Sequence, residues 1–441
     1  MKFAKWMMIA ITILLACPGG AAAKMIGYMT AAEPITEARI ARLPESERPA
    51  WIAYLMRSRT LLRADKAALA AERKGLADVP PPPAPGPSGG AGMPLDRAAA
   101  WYASPEARHV ADTIVSFQTP AGGWGKNADR AGPARLRGQY YVPVEKLPVD
   151  VKDNTRHEEH WNYVGTIDNN ATTSELRFLA RVQAQLPGAE GDLYRACFLK
   201  GVRYLLNAQF PNGGWPQIYP LEGGYHDALT YNDNAIAKVV EVLSGTAERK
   251  GDYAFVPPSV AAEAKSAWDR AIAVILATQV KVDGKRTIWA QQHDALTLQP
   301  VGARNFEPAA LASDESADLL MVLMRLPNPS PAVVVAVRDG ISWLQAHAIR
   351  GYEWKRISPS EGHRLVPDSA AGPIWSRYYD VRTLQPIFGD RDKSIHDDIS
   401  DLSSERRDGY SWFNSGPVKA LAVYRKWEAG LPASFANRIV P

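Results

Sequence analysis

The stretch NAQFPNGGWPQIYPLEGGYHDALTYNDNAIAKVVEVL, residues 207–243, indicates the fold. It starts at the end of an apolar helix, turns at Gly-Gly-Trp (213–215), and enters a second apolar helix after Tyr-Asn-Asp-Asn (231–234). An earlier part of the chain has nearly the same order, with SFQTPAGGWGKN from Ser116 and TIDNNATTSELRFLARV from Thr166. The same turn after two helix ends, and an Asp-Asn pair before two helix starts, predict a repeated helical unit.

Apolar residues at intervals of three and four continue on both sides of this stretch and predict further helices. The predicted helices cover residues 104–118, 172–186, 190–209, 234–246, 259–279, 314–326, 331–348 and 414–428. The chain shows no convincing run of alternating strand residues, so the sequence predicts an all-α domain.

The links between these helices alternate in length. Short links lie at 187–189, 247–258 and 327–330, and long links lie at 119–171, 210–233, 280–313 and 349–413. Helices joined by short links usually pack antiparallel, which places every long link at the same end of the fold. Irregular segments of this length are uncommon in compact domains unless they carry function. The sequence therefore predicts antiparallel helical hairpins in a ring or bundle, with a functional face built from the long links.

The N-terminus has the pattern of a bacterial signal peptide over residues 1–23. A basic start precedes an apolar run from Trp6 to Ala16, and Ala21-Ala22-Ala23 suits a cleavage site. The apolar run is too short to span a bilayer, which takes about 20 residues. We expect a secreted or periplasmic protein, with a membrane attachment only if Cys17 is lipidated. Cys197 is then the one cysteine left in the mature chain, and its apolar helix predicts a buried thiol.

Three segments follow the signal peptide. Residues 24–78 favour helix, residues 79–94 form a linker rich in Pro and Gly, and residues 95–441 form the main domain. We expect a chain that starts near Leu95 to fold and remain active. The net charge of +4 is small for 441 residues, so no nucleic-acid partner is predicted, and we expect a monomer.

The Asp-Asn pairs hold the candidate metal ligands Asp168, Asn169 and Asp233. An Asp before an apolar helix usually caps it, and capping is the simplest interpretation of each pair alone. The repetition favours a second role, because carboxylates beside amide carbonyls suit a hard cation such as Ca²⁺.

Cationic residues gather among aromatic residues in the long links. They include Arg304 in VGARNFEP, Arg377 in SRYYD, Arg391 in FGDRD, and Lys126 two positions after Trp124. Trp124 itself is expected to pack at the rim of the helices. Arginine binds carboxylate through two parallel hydrogen bonds, so this face is predicted to bind an acidic substrate.

The motifs QTPAGGWGKN, TIDNNAT, NAQFPNGGWPQIYP, YNDNA, VGARNFEP, SRYYD, FGDRD and ERRDGYSWF together resemble the pectate lyases of polysaccharide lyase family ten. The resemblance covers roughly residues 98–430 and implies an α/α toroid that cleaves polygalacturonate by calcium-assisted β-elimination. One departure is Gly125, where the family more often has proline. By the resemblance, Ca²⁺ and substrate bind at Asp168, Asn169 and Asp233, the substrate carboxylates bind at Lys126, Arg304 and Arg377, and Arg391 is the catalytic base.

Two other functions fit the same residues. A glycoside hydrolase on a helical toroid would use two carboxylates as acid and base, and Asp168 and Asp233 could play those parts. A non-catalytic pectate-binding protein would keep the metal site and the cationic groove but would not need Arg391.

Overall fold

The computed structural model describes residues 24–87, 92–144 and 161–435. The predicted signal peptide, Cys17 and part of the predicted linker lie outside these residues. The described chain is mainly helical, as predicted. Its α-helices are α1 Glu37–Ile40, α2 Arg48–Arg73, α3 Pro105–Ser116, α4 Thr173–Gln185, α5 Asp192–Ala208, α6 Ala235–Glu248, α7 Pro258–Thr278, α8 Ser313–Met324, α9 Pro331–Ala346, α10 Ser404–Asp408 and α11 Pro417–Ala429. None of these helices is long and apolar enough to cross a membrane.

Short strands, which the sequence did not predict, lie mainly in the long links. They are β1 Met25–Tyr28, β2 Leu229–Thr230, β3 Lys281–Val282, β4 Lys285–Arg286, β5 Gln292–His293, β6 Ala310–Ala312, β7 Tyr352–Ser358, β8 Gly362–Pro367, β9 Trp375–Ser376, β10 Tyr378–Asp380, β11 Phe388–Gly389, β12 Ser394–His396 and β13 Phe413–Asn414. Most form two-stranded antiparallel ribbons, and β1, β12 and β11 form a three-stranded sheet in that order. Two of these ribbons, β2 with β5 and β6 with β10, join one long link to another.

The helices pack in hairpins, as the short links predicted. Helix α4 packs on α5, α6 on α7, and α8 on α9. Contacts from α4 to α6 to α8 form one row of helices, and contacts from α5 to α7 to α9 form a second row. One continuous apolar core lies between them.

The repeated Gly-Gly-Trp turn has a structural cause. In each of four links a fully buried tryptophan donates its indole N–H to a carbonyl of the preceding helix, at 2.6–2.8 Å. The four are Trp124, Trp215, Trp289 and Trp375. Because Trp124 is 0% exposed, the expected packing role is confirmed and the ring cannot stack on a sugar.

A glutamine closes the helix before three of these turns. Gln118, Gln209 and Gln279 each donate two hydrogen bonds of 2.8–2.9 Å from Nε2, one to their own turn and one to another helix. The oxygen of Gln118 accepts a bond from the Cys197 thiol at 3.2 Å. Burial raises the pKa of this thiol to about 12, so Cys197 is the inert buried group that its helix predicted.

The segment before the linker packs on the main domain. Trp51 and Tyr54 of α2 pack against Phe210 in the common core with tilted rings, and the Tyr54 hydroxyl donates to the Ala208 carbonyl at 3.1 Å. Further along α2, the buried Asp65 accepts a hydrogen bond of 2.7 Å from the backbone amide of Ala121, which lies in the first long link. This packing argues against the expectation that a chain starting near Leu95 folds unchanged.

Candidate active site

The two Asp-Asn pairs form tight turns before α4 and α6. Both turns have two consecutive residues with positive φ, Asn169 and Asn170 in the first and Asp233 and Asn234 in the second. Left-handed backbone is tolerated best by Asn, Asp and Gly, which explains these residue types. Asn169 is the first positive-φ residue of its turn, as Asp233 is of the other turn. Asp168 therefore lies one position earlier in its turn than Asp233 does in the second turn. No side chain of these turns makes a helix-capping hydrogen bond, so capping does not explain Asp168 or Asp233.

The turns open on a polar cavity of about 110 Å³ formed by three of the long links. Its lining includes five of the predicted site residues, Lys126, Asp168, Asn169, Asp233 and Arg304. The sequence did not single out the other lining residues, which are Tyr163, Gln217, Tyr225, Asn232, Gln291, Gln292 and Glu307. Residues that lie up to 181 positions apart in the chain thus meet at one place, at the end of the fold predicted to be functional.

Lys126 and Asp168 form a buried ion pair on one wall. The Lys126 ammonium lies 3.0 Å from Oδ2 of Asp168 and 3.2 Å from the centre of the Tyr163 ring. Gln217 donates to the other carboxylate oxygen at 2.9 Å. Burial works against the ionised carboxyl, but Lys126 and Gln217 together hold the pKa of Asp168 below its usual value. Asp168 is therefore a carboxylate at any neutral pH, which does not suit the acid of a hydrolase.

Asp233 has the opposite electrostatic environment. Asp233 is an exposed residue at the cavity, and Asn232 donates to its Oδ2 at 3.1 Å. Desolvation, and then repulsion by Asp168, raise the pKa of Asp233 to about 6. Arg377 and Arg304 oppose this shift without cancelling it. Asp168 and Asp233 thus line the same cavity with opposite shifts in pKa.

Two predicted arginines are each held by a carboxylate. Arg304 lines the cavity, whereas Arg377 is not among the lining residues but donates to Asn232 of the lining at 3.4 Å. Arg304 reaches Glu307 through Nε at 2.9 Å and Nη2 at 2.5 Å. The Glu307 side chain is 3% exposed, and its pKa falls to about 2 because Arg304 and the Tyr410 hydroxyl stabilise the charge against the cost of burial. Arg377 donates to Glu315 at 2.7 Å. These ion pairs raise the pKa of both arginines.

Arg391, the predicted base, lies at the turn between β11 and β12. Its guanidinium donates to both oxygens of Glu405, at 2.8 and 3.0 Å, and lies 5.4 Å from the centre of the Phe306 ring. The buried Arg406 lies over the same ring at 4.2 Å. Desolvation and the neighbouring Arg391 and Arg304 lower the pKa of Arg406. Arg391 is not among the residues that line the cavity.

Within the described residues, no cluster of three or more His, Cys, Asp or Glu side chains could hold a metal ion. The cavity does contain oxygen donors of other kinds. Oε1 of Gln217 and Oε1 of Gln292 are buried without a hydrogen-bond partner, and both residues line it. Unpaired carbonyl oxygens beside Asp168 and Asp233 are the donor set of a hard cation. The residues present therefore fit Ca²⁺.

At position 125 the structure shows why glycine is suitable. A Cβ there would lie 2.2 Å from Cγ1 of Val142, so Val142 occupies the space of a larger residue. Despite this departure from the family pattern, Lys126 reaches Asp168.

Comparisons with known proteins agree with this site. A model of the pectic acid lyase family matches residues 118–421. A solved family 10 polysaccharide lyase from Cellvibrio cellulosa is 31% identical with a TM-score of 0.63, over 76% of this chain and 97% of that chain. An alanine variant of a family 10 lyase from that organism, in complex with trigalacturonic acid, matches with 31% identity over the same shares of the two chains and a TM-score of 0.62. Among curated protein sequences, none matches significantly.

The chain belongs to the pectic acid lyase family, within family ten of the polysaccharide lyases. The predicted pectate lyase activity is thereby confirmed, and the two alternatives, a hydrolase and a non-catalytic binding protein, are set aside.

Proposed function

We propose that the protein is a secreted or periplasmic enzyme that cleaves polygalacturonate by calcium-assisted β-elimination, with the hairpins closed into an α/α toroid. The observation that supports the calcium role is that Asp168 and Asp233 line one small cavity together with two buried amide oxygens that have no hydrogen-bond partner, those of Gln217 and Gln292. Asn169 completes the predicted ligand set. A bound Ca²⁺ would supply positive charge next to the uronate carboxylate, which acidifies the neighbouring C5 proton.

The cationic side chains in and beside the cavity have complementary roles. Lys126, Arg304 and Arg377 bind substrate carboxylates, and a trigalacturonate complex of a 31% identical lyase supports an acidic oligosaccharide as the ligand. Their positive charge stabilises the enolate-like transition state that forms when the C5 proton leaves. The electron pair of the C5–H bond then forms the C4–C5 double bond as the C4–O4 bond breaks, and O4 leaves with the electron pair of that bond and takes up a proton from water.

The base that takes the C5 proton is an arginine in this proposal. Arg391 is the residue that the resemblance predicts, and this role stays a prediction. Its bidentate pair with Glu405 opposes this role, because a carboxylate partner favours the charged guanidinium and a base must be neutral to accept a proton. Arg304 is the second candidate because it lines the cavity beside Asp168 and Asp233, although its bidentate pair with Glu307 favours its charged form in the same way.

One experiment tests the reaction class. The enzyme is incubated with polygalacturonate while ultraviolet absorbance of unsaturated product and new reducing ends are followed in parallel. We expect both signals to rise together, to stop after treatment with EDTA, and to return when Ca²⁺ is added. Reducing ends without unsaturated product would contradict elimination, and full activity after exhaustive chelation would contradict the calcium role.

A further inference from the structure

The N-terminal extension, residues 24–95, lies outside the part that matches the family, which begins at residue 118. Within it, the described residues 25–39 form a segment that we name the N-terminal arm. Its first part, β1, pairs antiparallel with β12, and the amide of Met29 donates to the Lys393 carbonyl at 2.8 Å. Strand β12 is thus the middle strand of its sheet, and the turn that carries Arg391 joins it to β11.

The arm next contacts the link that carries Arg304. Ala31 forms a parallel bridge with Gly302, two residues before that arginine. A Cβ on Gly302 would lie 2.7 Å from the Thr30 carbonyl oxygen and 3.0 Å from the Glu307 carbonyl oxygen. The arm therefore sits so close to this link that glycine is required there.

Two further contacts of the extension reach the other two long links. The amide of Ile35 donates to Asp227 at 3.4 Å, in the link that ends at Asp233. The linker residue Gly86 donates its amide to the Asn127 carbonyl at 2.7 Å, next to Lys126. All four links that carry predicted site residues are therefore in contact with the extension.

We propose that the N-terminal arm is a positioning element of the active site, which holds the turn of Arg391 and the link of Arg304 in register with the cavity. An isolated two-stranded hairpin is marginally stable in water, and a third strand gives it the support that it lacks. Strands β11 and β12 have only two and three residues, so β1 supplies much of their pairing. The inference rests on the proposed roles of Arg391 and Arg304.

The test removes one backbone hydrogen bond. Met29→Pro deletes the amide that bonds to Lys393, whereas Met29→Ala loses the same side chain and keeps the amide. Tyr28→Ala is the matched surface control, because Tyr28 is 65% exposed and lies at the end of β1, next to Met29. We expect kcat/KM on polygalacturonate to fall at least about tenfold in Met29→Pro relative to Met29→Ala, since small displacements of catalytic groups are costly. All values are taken per folded molecule, at a temperature below the measured melting transition.

A reversible cross-link separates positioning from general destabilisation. Gly27 and Ile395 are directly opposed in the sheet, and a Cβ on Gly27 meets no atom within 4 Å. Directly opposed strand residues have Cα separations within disulfide range. In the Met29→Pro background, Gly27→Cys with Ile395→Cys should recover kcat/KM when oxidised and lose it again when reduced.

Three outcomes would overturn the inference. They are equal kcat/KM for the proline and alanine variants, a loss that only follows the unfolded fraction, and a cross-link that forms without restoring the rate. If the wild-type enzyme releases no unsaturated product, the proposed function fails instead, and the two failures are thereby distinguished.

Discussion

Arg391→Lys tests the predicted base, because lysine keeps the positive charge but loses the planar guanidinium. The ion pair that it disturbs is exposed, with Arg391 31% and Glu405 58% accessible. Exposed pairs contribute about 0–1 kcal/mol, so the melting temperature should change by no more than about 3 °C. Any large change in rate will therefore come from the chemistry rather than from the fold.

The kinetic split then distinguishes the two roles. A general base contributes roughly 10²–10⁴-fold, so as the base Arg391→Lys should lower kcat by about 100-fold or more with KM nearly unchanged. As a carboxylate-binding group, Arg391 would lose one charge-assisted hydrogen bond of about 1.5–3 kcal/mol, and KM would rise instead by roughly 10- to 150-fold. The assay is the initial rate of unsaturated product over a range of polygalacturonate concentrations.

Two matched variants complete the comparison. Arg382→Lys changes an exposed arginine of the same link and should behave like wild type. Arg304→Lys disturbs a buried partner, since the Glu307 side chain is only 3% exposed, and its stability should fall by more than that of Arg391→Lys. A kcat near wild type in Arg391→Lys and Arg391→Ala would refute the assignment, and a selective loss of kcat in Arg304→Lys would move the base to Arg304.

Three further outcomes are expected. Asp233→Ala should weaken the apparent Ca²⁺ affinity and recover part of its rate at high Ca²⁺, which a Ca²⁺ titration of the rate will measure. Asp168→Ala should lower the free energy of unfolding by about 3–5 kcal/mol, because Lys126 is left buried without its carboxylate. Thermal unfolding checks the second expectation. The pKa of the buried Asp65 is raised to about 7, chiefly by desolvation, so the folded state binds its proton more tightly than the unfolded chain does and stability should decline from about pH 4 to pH 7. Asp65→Asn should flatten that part of a melting-temperature profile, and an unchanged slope would contradict the cause. A chain that starts at Leu95 loses the core residues of α2 and should melt at lower temperature, whereas an unchanged cooperative melt would support the independence expected from the sequence.

The helices could be predicted because their signals are local. The predicted helix 331–348 is observed as Pro331–Ala346, and 314–326 is observed as Ser313–Met324. The order of turns and Asp-Asn pairs also indicated which end of the fold would hold the site. Five predicted residues do meet in the cavity there.

The partners of the arginines could not be predicted in the same way. Glu307 lies three residues after Arg304, so this pair does have a local signal in the spacing of RNFE. Glu315 lies 62 residues before Arg377, in helix α8, and no local pattern connects them. The pairing of β1 with β12 joins positions more than 360 residues apart, and short strands within long links have too few residues for an alternating pattern.

The balance of charge at the cavity explains why a nearly neutral chain can bind an acidic polymer. Three arginines face this end of the fold, but Glu307, Glu315 and Glu405 each hold one of them in the free protein. Asp168 and Asp233 add negative charge that Lys126 only partly offsets. A uronate that enters must therefore compete with protein carboxylates for the guanidinium groups. A cation at Asp168 and Asp233 would cancel the repulsion between these two carboxylates and the entering uronate. Substrate binding is therefore controlled by the local pairing of charges rather than by the net charge of +4.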